Sequence, residues 1–138
     1  MKGTTVLTLP YPPSINHYWR HFRGHTVISR EGRTFRTNVC ALLAAGNGRG
    51  PRKPPAGGRI ALMMDAFPPD RRRRDLDNLQ KPVLDALENG GQYEDDSQID
   101  LLITRRRDVV PQGRIEITLS DLPLTVCPLC GRGLPENN

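Results

Sequence analysis

The spacing of apolar and polar residues along this chain predicts four strands. Alternating apolar residues indicate strands over 4–9 and 59–67, and two more around 99–103 and 115–119. A Pro-Gln-Gly turn at 111–113 separates the last two. The first two strands run into prolines, which lack the backbone donor that a strand needs, so both are expected to end there.

A first helix is predicted between the first two strands. Ser29 is a suitable N-cap, because its hydroxyl can accept a hydrogen bond from an unpaired backbone N–H of the first turn. The helix is expected to continue to Ala45. Its apolar residues at helical spacing are Phe35, Val39, Leu42 and Leu43.

A second helix is predicted to end near Asn89, where Gly90 and Gly91 close it. Pro82 lies inside this segment and removes one backbone hydrogen bond. We therefore expect 77–81 to form a separate tight turn, with the regular helix starting near Pro82.

The remaining segments are predicted to be loops. Residues 14–28 are dense in aromatic and basic side chains and form a loop that could touch DNA, and 46–58 form a mobile loop rich in glycine and proline. The order of elements is then β-α-β-α-β-β, which predicts an α/β (α+β) fold with a small mixed sheet and two helices packed on it.

Charge is distributed unevenly along the 138 residues. Residues 1–64 contain ten basic residues and one acidic residue, whereas 65–138 contain ten basic and fourteen acidic residues. Only three of the twenty cations are lysines, and the planar guanidinium of arginine suits bidentate contacts to phosphate. This pattern favours a polyanionic partner such as nucleic acid over a merely solvated surface.

The composition of the chain indicates how the protein assembles and where it is located. At 36% hydrophobic residues, part of the core is expected to lie at a subunit contact, which favours a homodimer. There is no long apolar run or signal-peptide core, and three sparse cysteines do not indicate a disulfide framework. We expect a soluble, cytoplasmic protein without a membrane partner.

Carboxylates concentrate around an unusual run of arginines. Four successive arginines occupy 71–74, and Asp75 and Asp77 follow two residues apart. A helix that folds back after them is expected to bring the acidic turn at Asp96 near this pair. Converging carboxylates repel one another, and a hard divalent cation such as Mg²⁺ is the usual remedy. Taken singly, Asp77 could instead be a helix N-cap and 94–96 a solvated turn.

One long segment and three short ones after it form a recognisable pattern: Asp70 to Lys81, Asp85-Ala86-Leu87, Asp95-Asp96 and Gln98. This pattern resembles the RusA family of Holliday-junction resolvases. The opening segment is also similar to that family in its residues Pro12-Pro13-Ser14, Asn16, Tyr18, Arg20 and His21. The resemblance runs from about residue 5 to residue 120.

This resemblance implies a crossover junction endodeoxyribonuclease acting in DNA recombination and repair. It implies a homodimer that hydrolyses phosphodiester bonds in opposing strands of a four-way junction by paired symmetrical nicks, with Mg²⁺ or Mn²⁺. The family's catalytic acids match Asp75, Asp77 and Asp96, its essential lysine matches Lys81, and Asp95 occupies a less critical acidic position. The acids are expected to hold the metal, as one ion or two.

Contacts to DNA are expected from several basic and polar side chains outside the acidic group. Arginines in a run can hold a phosphate backbone against a metal site. The residues assigned to DNA binding are Arg71, Arg72, Arg73, Arg74, Asn16 and Arg20.

The chain is expected to divide into an endonuclease domain over 1–120 and a C-terminal extension over 121–138. The extension carries Cys127 and Cys130, a CxxC pair that resembles half of a zinc site. Two extensions in a dimer could complete a four-cysteine site. A partly flexible extension without metal is the alternative.

Two other functions stay open at this point. The chain could be a magnesium-dependent nuclease acting on other branched DNA or on RNA. It could also be a non-catalytic DNA-binding module that combines the same arginines with a zinc-binding tail.

Overall fold

The computed structural model describes residues 4–46 and 57–136, without the side chains of Ile15 and Asn16. Its first half consists of strand β1 (Thr4–Leu9), helix α1 (Ile15–Tyr18), strands β2 (Trp19–Phe22) and β3 (His25–Ile28), and helix α2 (Arg30–Ala45). Its second half consists of β4 (Ile60–Phe67), α3 (Asp77–Asn89), β5 (Ile99–Arg106) and β6 (Arg114–Asp121).

Four of the strands form one mixed sheet in the order β1-β6-β4-β5. The central strand β4 pairs antiparallel with β6 and parallel with β5, and β1 pairs antiparallel with β6. The mixed sheet and the two long helices confirm the predicted fold class. The strands that flank the turn at 111–113 are not neighbours, because β4 lies between them.

A single core lies between the sheet and the two long helices. Residues two apart on a strand share a face, so the buried Leu62, Met64 and Ala66 of β4 all point toward the helices. The helices contribute the buried residues Phe35, Val39, Leu43, Leu79, Val83, Ala86 and Leu87. Leu42, one of the apolar residues at helical spacing, is 49% exposed, because it lies one position away from the stripe formed by residues 35, 39 and 43.

The prediction of a loop over 14–28 is wrong. This segment forms α1 and a two-stranded hairpin of β2 and β3. Arg23 and Gly24 have φ values of 49° and 75°, the left-handed values that a two-residue hairpin turn requires. Gly24, followed by the β-branched Thr26, Val27 and Ile28, was the available sequence signal. The other predicted loop, at 46–58, lies mostly outside the described residues, which omit 47–56.

The prediction that 77–81 form a separate turn is also wrong, because α3 is continuous from Asp77 and contains Pro82. A proline there removes one backbone hydrogen bond in the second turn. Pro82 is itself buried, so its packing in the core offsets that loss. The predicted ends were correct: Ser29 caps α2 by accepting from the Gly32 N–H at 3.0 Å, and Gly90 caps α3.

Gly32 marks a close approach between α2 and the turn before the hairpin. A Cβ atom added there would lie 2.7 Å from the Tyr18 carbonyl oxygen and 2.8 Å from Cγ1 of Ile28. Gly32→Ala is therefore expected to lower the free energy of unfolding by about 1–2 kcal/mol, because overpacking outweighs the better helix propensity of alanine. Urea denaturation measures this change.

Gly133→Ala is the matched control for Gly32→Ala, since no heavy atom lies within 4 Å of an added Cβ. An equal loss of stability in both variants would contradict the close-packing explanation.

Across the described residues, no helix has the length and apolar character needed to cross a membrane.

Candidate nuclease site

The loop between β4 and α3, which contains the four arginines, is held in place by Asp70. The Asp70 carboxylate accepts a hydrogen bond from the Arg72 backbone N–H at 2.9 Å and from the Arg74 guanidinium at 2.7 Å. The hydrogen bond from Arg74 is the largest cause that lowers the pKa of Asp70 to about 2. The Arg74 guanidinium also lies 5.6 Å above the Tyr11 ring, a cation–π arrangement. Asp70 and Arg74 therefore define the shape of this loop.

The four arginines of the run have different environments. Arg71, Arg72 and Arg73 are exposed, and the Arg72 side chain is 84% accessible. Arg74 is only 24% accessible, and its carbonyl oxygen accepts a hydrogen bond from Arg106. The Arg72 guanidinium has a long ion pair of 3.8 Å with Asp70, but the first three arginines remain accessible to phosphate groups, whereas the charge of Arg74 is engaged within the protein.

A groove of about 1130 Å³ runs along this loop, and we call it the arginine groove. Three segments supply most of its lining: residues 10–14, the first turns of α2, and residues 72–75. Both parts of the chain that carry the family resemblance, near the N-terminus and at 70–81, therefore border the same groove. Asp75 lies on its wall.

Asp75 and Asp77 lie where the arginine run ends and α3 begins. Both are exposed, and within the described part of the chain neither carboxylate has a hydrogen bond or an ion pair. Asp77 is the first residue of α3, and the N-cap of that helix is Leu76. Asp77 is therefore not the N-cap that was considered from the sequence. Two exposed, unengaged carboxylates are available to bind a cation.

Asp96 lies in an acidic turn that packs against the end of α3. Its backbone N–H donates to the Glu88 carboxylate at 3.0 Å. Asp95 caps the turn by accepting from the Ser97 N–H at 2.7 Å, and this backbone hydrogen bond is the largest cause that lowers the pKa of Asp95. The buried Gln98 side chain accepts from the N–H groups of residues 94 and 95. The turn is thus fixed by its own side chains and by Glu88.

Lys81 connects α3 to this acidic turn. Its ammonium group lies 2.9 Å from the Asp85 carboxylate and 3.7 Å from the Asp96 carboxylate. The hydrogen bond to Asp85 is the largest cause that raises the pKa of Lys81, so Lys81 carries its positive charge at neutral pH. The Lys81 side chain is 54% accessible, which leaves it open to a substrate.

The structure brings together only part of the predicted acidic set. In residues 4–46 and 57–136, one group of three metal-ligating side chains has its ligand atoms within 4.8 Å of one another, and it consists of Glu88, Asp95 and Asp96. Asp75 and Asp77 are not part of it. The Asp96 carboxylate lies 3.7 Å from the Lys81 ammonium group, and Lys81 follows Asp77 by four residues, which is about one helical turn. The acidic turn therefore packs along α3 between Lys81 and Glu88, and Asp75 and Asp77 lie at the start of the same helix.

Sequence reasoning missed the roles of Asp85 and Glu88. Both follow Lys81 on α3, at four and seven residues, so the three side chains share one helix face. That spacing was visible in the sequence. The contact between Glu88 and the backbone of Asp96 depends on the tertiary packing of the turn.

The remaining predicted DNA contacts lie on α1, which carries Asn16, and on strand β2 of the hairpin, which carries Arg20. Arg20 is exposed on β2, and its guanidinium lies 5.3 Å from the ring of Phe22, which is itself 51% exposed. Tyr18 is fully buried, and the Trp19 ring packs edge-on against it at 5.0 Å. Phe22 is the exposed ring of the three and Trp19 is partly buried, so Phe22 is the most accessible of them to nucleic acid. The side chain of Asn16 lies outside the described part of the structure.

Comparison with known proteins identifies relatives over most of the chain. Residues 10–120 match a family described as endodeoxyribonuclease RusA. A crossover junction endodeoxyribonuclease RusA from Enterobacteria phage 82 is 42% identical over 121 residues, which cover 87% of this chain and 97% of the relative. Proteins of the same name from Escherichia coli K12 and Shigella sonnei are 40% and 41% identical over the same shares.

Proposed function

The chain belongs to the RusA family of endodeoxyribonucleases, and from this premise we propose that it is a metal-dependent endonuclease that resolves four-way DNA junctions. The observation that carries this proposal is the exposed arginine run that leads directly into the free carboxylates of Asp75 and Asp77. The arginine groove beside them supports the same conclusion, because a groove lined by cations suits a phosphate backbone.

We propose that Asp75, Asp77 and Asp96 hold a divalent cation, with Mg²⁺ or Mn²⁺ as the ion. The carboxylates present fit such an ion, because hard divalent cations prefer oxygen ligands. The cluster of Glu88, Asp95 and Asp96 supports an alternative ligand set that excludes the first two acids. When bound, the cation supplies positive charge beside the scissile phosphate and lowers the pKa of a water molecule.

The side chains of the protein position the DNA and balance its charge during hydrolysis. The reaction joins water to phosphorus and breaks the bond from phosphorus to the 3′ oxygen. Lys81 remains protonated, so we propose that it stabilises the negative charge that develops on the phosphate or on the leaving oxygen. Arg71, Arg72 and Arg73 contact neighbouring phosphates, with Arg20 and Asn16 contacting the DNA beyond them.

We propose that the working unit is a homodimer built from the domain over residues 1–120. Two sites related by a two-fold axis would match a junction whose opposing strands have the same symmetry. Each protomer would then make one of two symmetrical nicks. Sedimentation or light scattering of the protein with and without junction DNA tests this assembly.

A panel of DNA substrates tests the proposed function. Four-way junction, flap, duplex and single-stranded DNA, and an RNA control, are incubated with Mg²⁺ or Mn²⁺, and the products are mapped on sequencing gels. Paired symmetrical nicks in the four-way junction alone are expected. Equal cleavage of flaps or RNA would favour the broader nuclease, and binding without any cleavage would favour the non-catalytic module.

The exposed arginines are expected to determine how strongly binding depends on salt. Arg72→Ala removes one phosphate contact, so it should weaken junction and duplex binding alike and reduce the slope of log affinity against log salt by about one. Fluorescence anisotropy over a series of salt concentrations measures this slope. Arg132→Ala is the matched control, because Arg132 is an exposed arginine outside the arginine groove. An unchanged slope in Arg72→Ala would contradict the assignment.

A further inference from the structure

The C-terminal extension forms a compact hairpin around its two cysteines. Val126 and Gly133 pair as an antiparallel bridge, and the Leu134 N–H donates to the Thr125 carbonyl at 2.9 Å. Inside this bridge, the Cys127 N–H donates to the Arg132 carbonyl at 2.7 Å. Residues 125–134 are therefore held in one conformation, and we call them the cysteine hairpin.

The turn at the tip of the cysteine hairpin brings its two thiols together. The Gly131 N–H donates to the Cys127 carbonyl at 2.8 Å, and Gly131 has a φ of 75°. The Cys130 thiol interacts with the Cys127 sulfur, so both sulfur atoms of the CxxC pair lie at the tip of the hairpin.

The sulfur side of the hairpin is open to a second molecule. Cys130 is exposed and Cys127 is partly exposed. Two of the exposed large apolar residues lie on the same hairpin, Leu129 at 56% and Leu134 at 41% accessibility. Apolar side chains next to accessible thiols are suited to a surface that is covered on binding.

One copy of the hairpin supplies two metal ligands, whereas a structural zinc site has four. In the part of the chain that the structure describes, no third His, Cys, Asp or Glu joins the pair within ligand distance. Cys40, the other cysteine, lies on α2, where its sulfur accepts from the Asn89 side chain at 3.5 Å. The missing ligands must therefore come from outside this copy.

We propose that one Zn²⁺ is held by four thiolates, Cys127 and Cys130 from each of two copies of this chain. Every copy brings an identical pair in the same fixed turn, so a two-fold axis through the ion gives a tetrahedral four-sulfur set. Leu129 and Leu134 of the two copies would then cover each other. The ion joins the extensions of a dimer and lies outside residues 10–120, the part matched by the family.

Metal analysis of the full chain tests this proposal. Protein purified without chelator is expected to contain one zinc ion per two chains, by elemental analysis and native mass spectrometry. Replacing zinc with Co²⁺ should give the absorption of a tetrahedral four-thiolate site. Cys127→Ser and Cys130→Ser are each expected to lower zinc affinity about a hundredfold or more, whereas Cys40→Ser should retain the zinc.

Each other outcome would overturn the shared site. One zinc per chain would mean that the remaining ligands do not come from a second copy, and no zinc with a Cys127–Cys130 disulfide would exclude a metal site. Zinc retained in both serine variants would place the ion elsewhere. Circular dichroism of the variants checks that the core is intact. Junction cleavage with Mg²⁺ is assayed in parallel and is expected to survive in Cys127→Ser, so this proposal and the proposed function can fail independently.

Discussion

Replacing Asp75 with asparagine is expected to lower junction cleavage by about a hundred- to a thousandfold, the range for losing one charged contact to a transition state. The substitution keeps the size of the side chain but removes the negative charge that binds a cation. Asp75 is exposed, and its carboxylate has no hydrogen bond or ion pair with the other described residues, so the fold should be unaffected. Single-turnover cleavage and junction binding in Ca²⁺ are measured separately, and binding is expected to be retained.

The same variant distinguishes the two proposed ligand sets. If Asp75, Asp77 and Asp96 bind the ion together, Mn²⁺ affinity measured by calorimetry should fall in Asp75→Asn and in Asp96→Asn. If Glu88, Asp95 and Asp96 bind it alone, Asp75→Asn should leave the affinity unchanged and Glu88→Gln should lower it. Asp108→Asn, at an exposed acid after β5, is the control. Full cleavage by Asp75→Asn would contradict the assignment of this residue to the metal.

Replacing Lys81 with alanine is expected to lower the turnover number by about a hundredfold, with junction affinity reduced only a few-fold. The ammonium group lies between the carboxylates of Asp85 and Asp96, so a fixed positive charge faces the acidic turn. That charge matters most when negative charge accumulates on the phosphate. Single-turnover kinetics over a range of enzyme concentrations give both the cleavage rate at saturation and the apparent affinity for the junction.

Lys81→Arg is the informative companion to Lys81→Ala, because it keeps the charge but changes the shape of the donor. It is expected to recover part of the turnover. A loss of affinity in Lys81→Ala that accounts for the whole decrease in cleavage would contradict a role in the transition state. Removal of Lys81 also leaves Asp85 without its ion pair, so a thermal melt checks stability.

The long elements could be predicted from the sequence because their patterns are strong. The stripe of Phe35, Val39 and Leu43, with Ser29 before it, was enough to define α2. The hairpin at 19–28 was missed because its strands are only four residues long and largely exposed, so burial imposes little alternation. The start of α3 was missed because the local penalty of Pro82 was weighed without the core contacts that offset it.

The residue types of the candidate site could be predicted, but their spatial arrangement could not. The compositionally unusual block at 70–81 indicated arginines and carboxylates together. The sequence did not show that Arg74 binds Asp70, or that the acidic turn packs against Lys81 and Glu88 of α3. The first contact depends on how the loop before α3 folds. The second depends on how the chain folds back on α3 after Gly90, and no local pattern encodes that packing.

The ion pair between Asp70 and Arg74 affects the free energy of DNA binding. Long arginine side chains and the loop that carries them lose conformational entropy when they are ordered on a ligand, about 0.5–1.5 kcal/mol for each immobilised side chain. In this protein the backbone under Arg71, Arg72 and Arg73 is already ordered before DNA arrives. Arg74 is engaged by Asp70 and is therefore not available to the DNA. The other three arginines contact the phosphates from a backbone that is already ordered, so less conformational entropy is lost on binding.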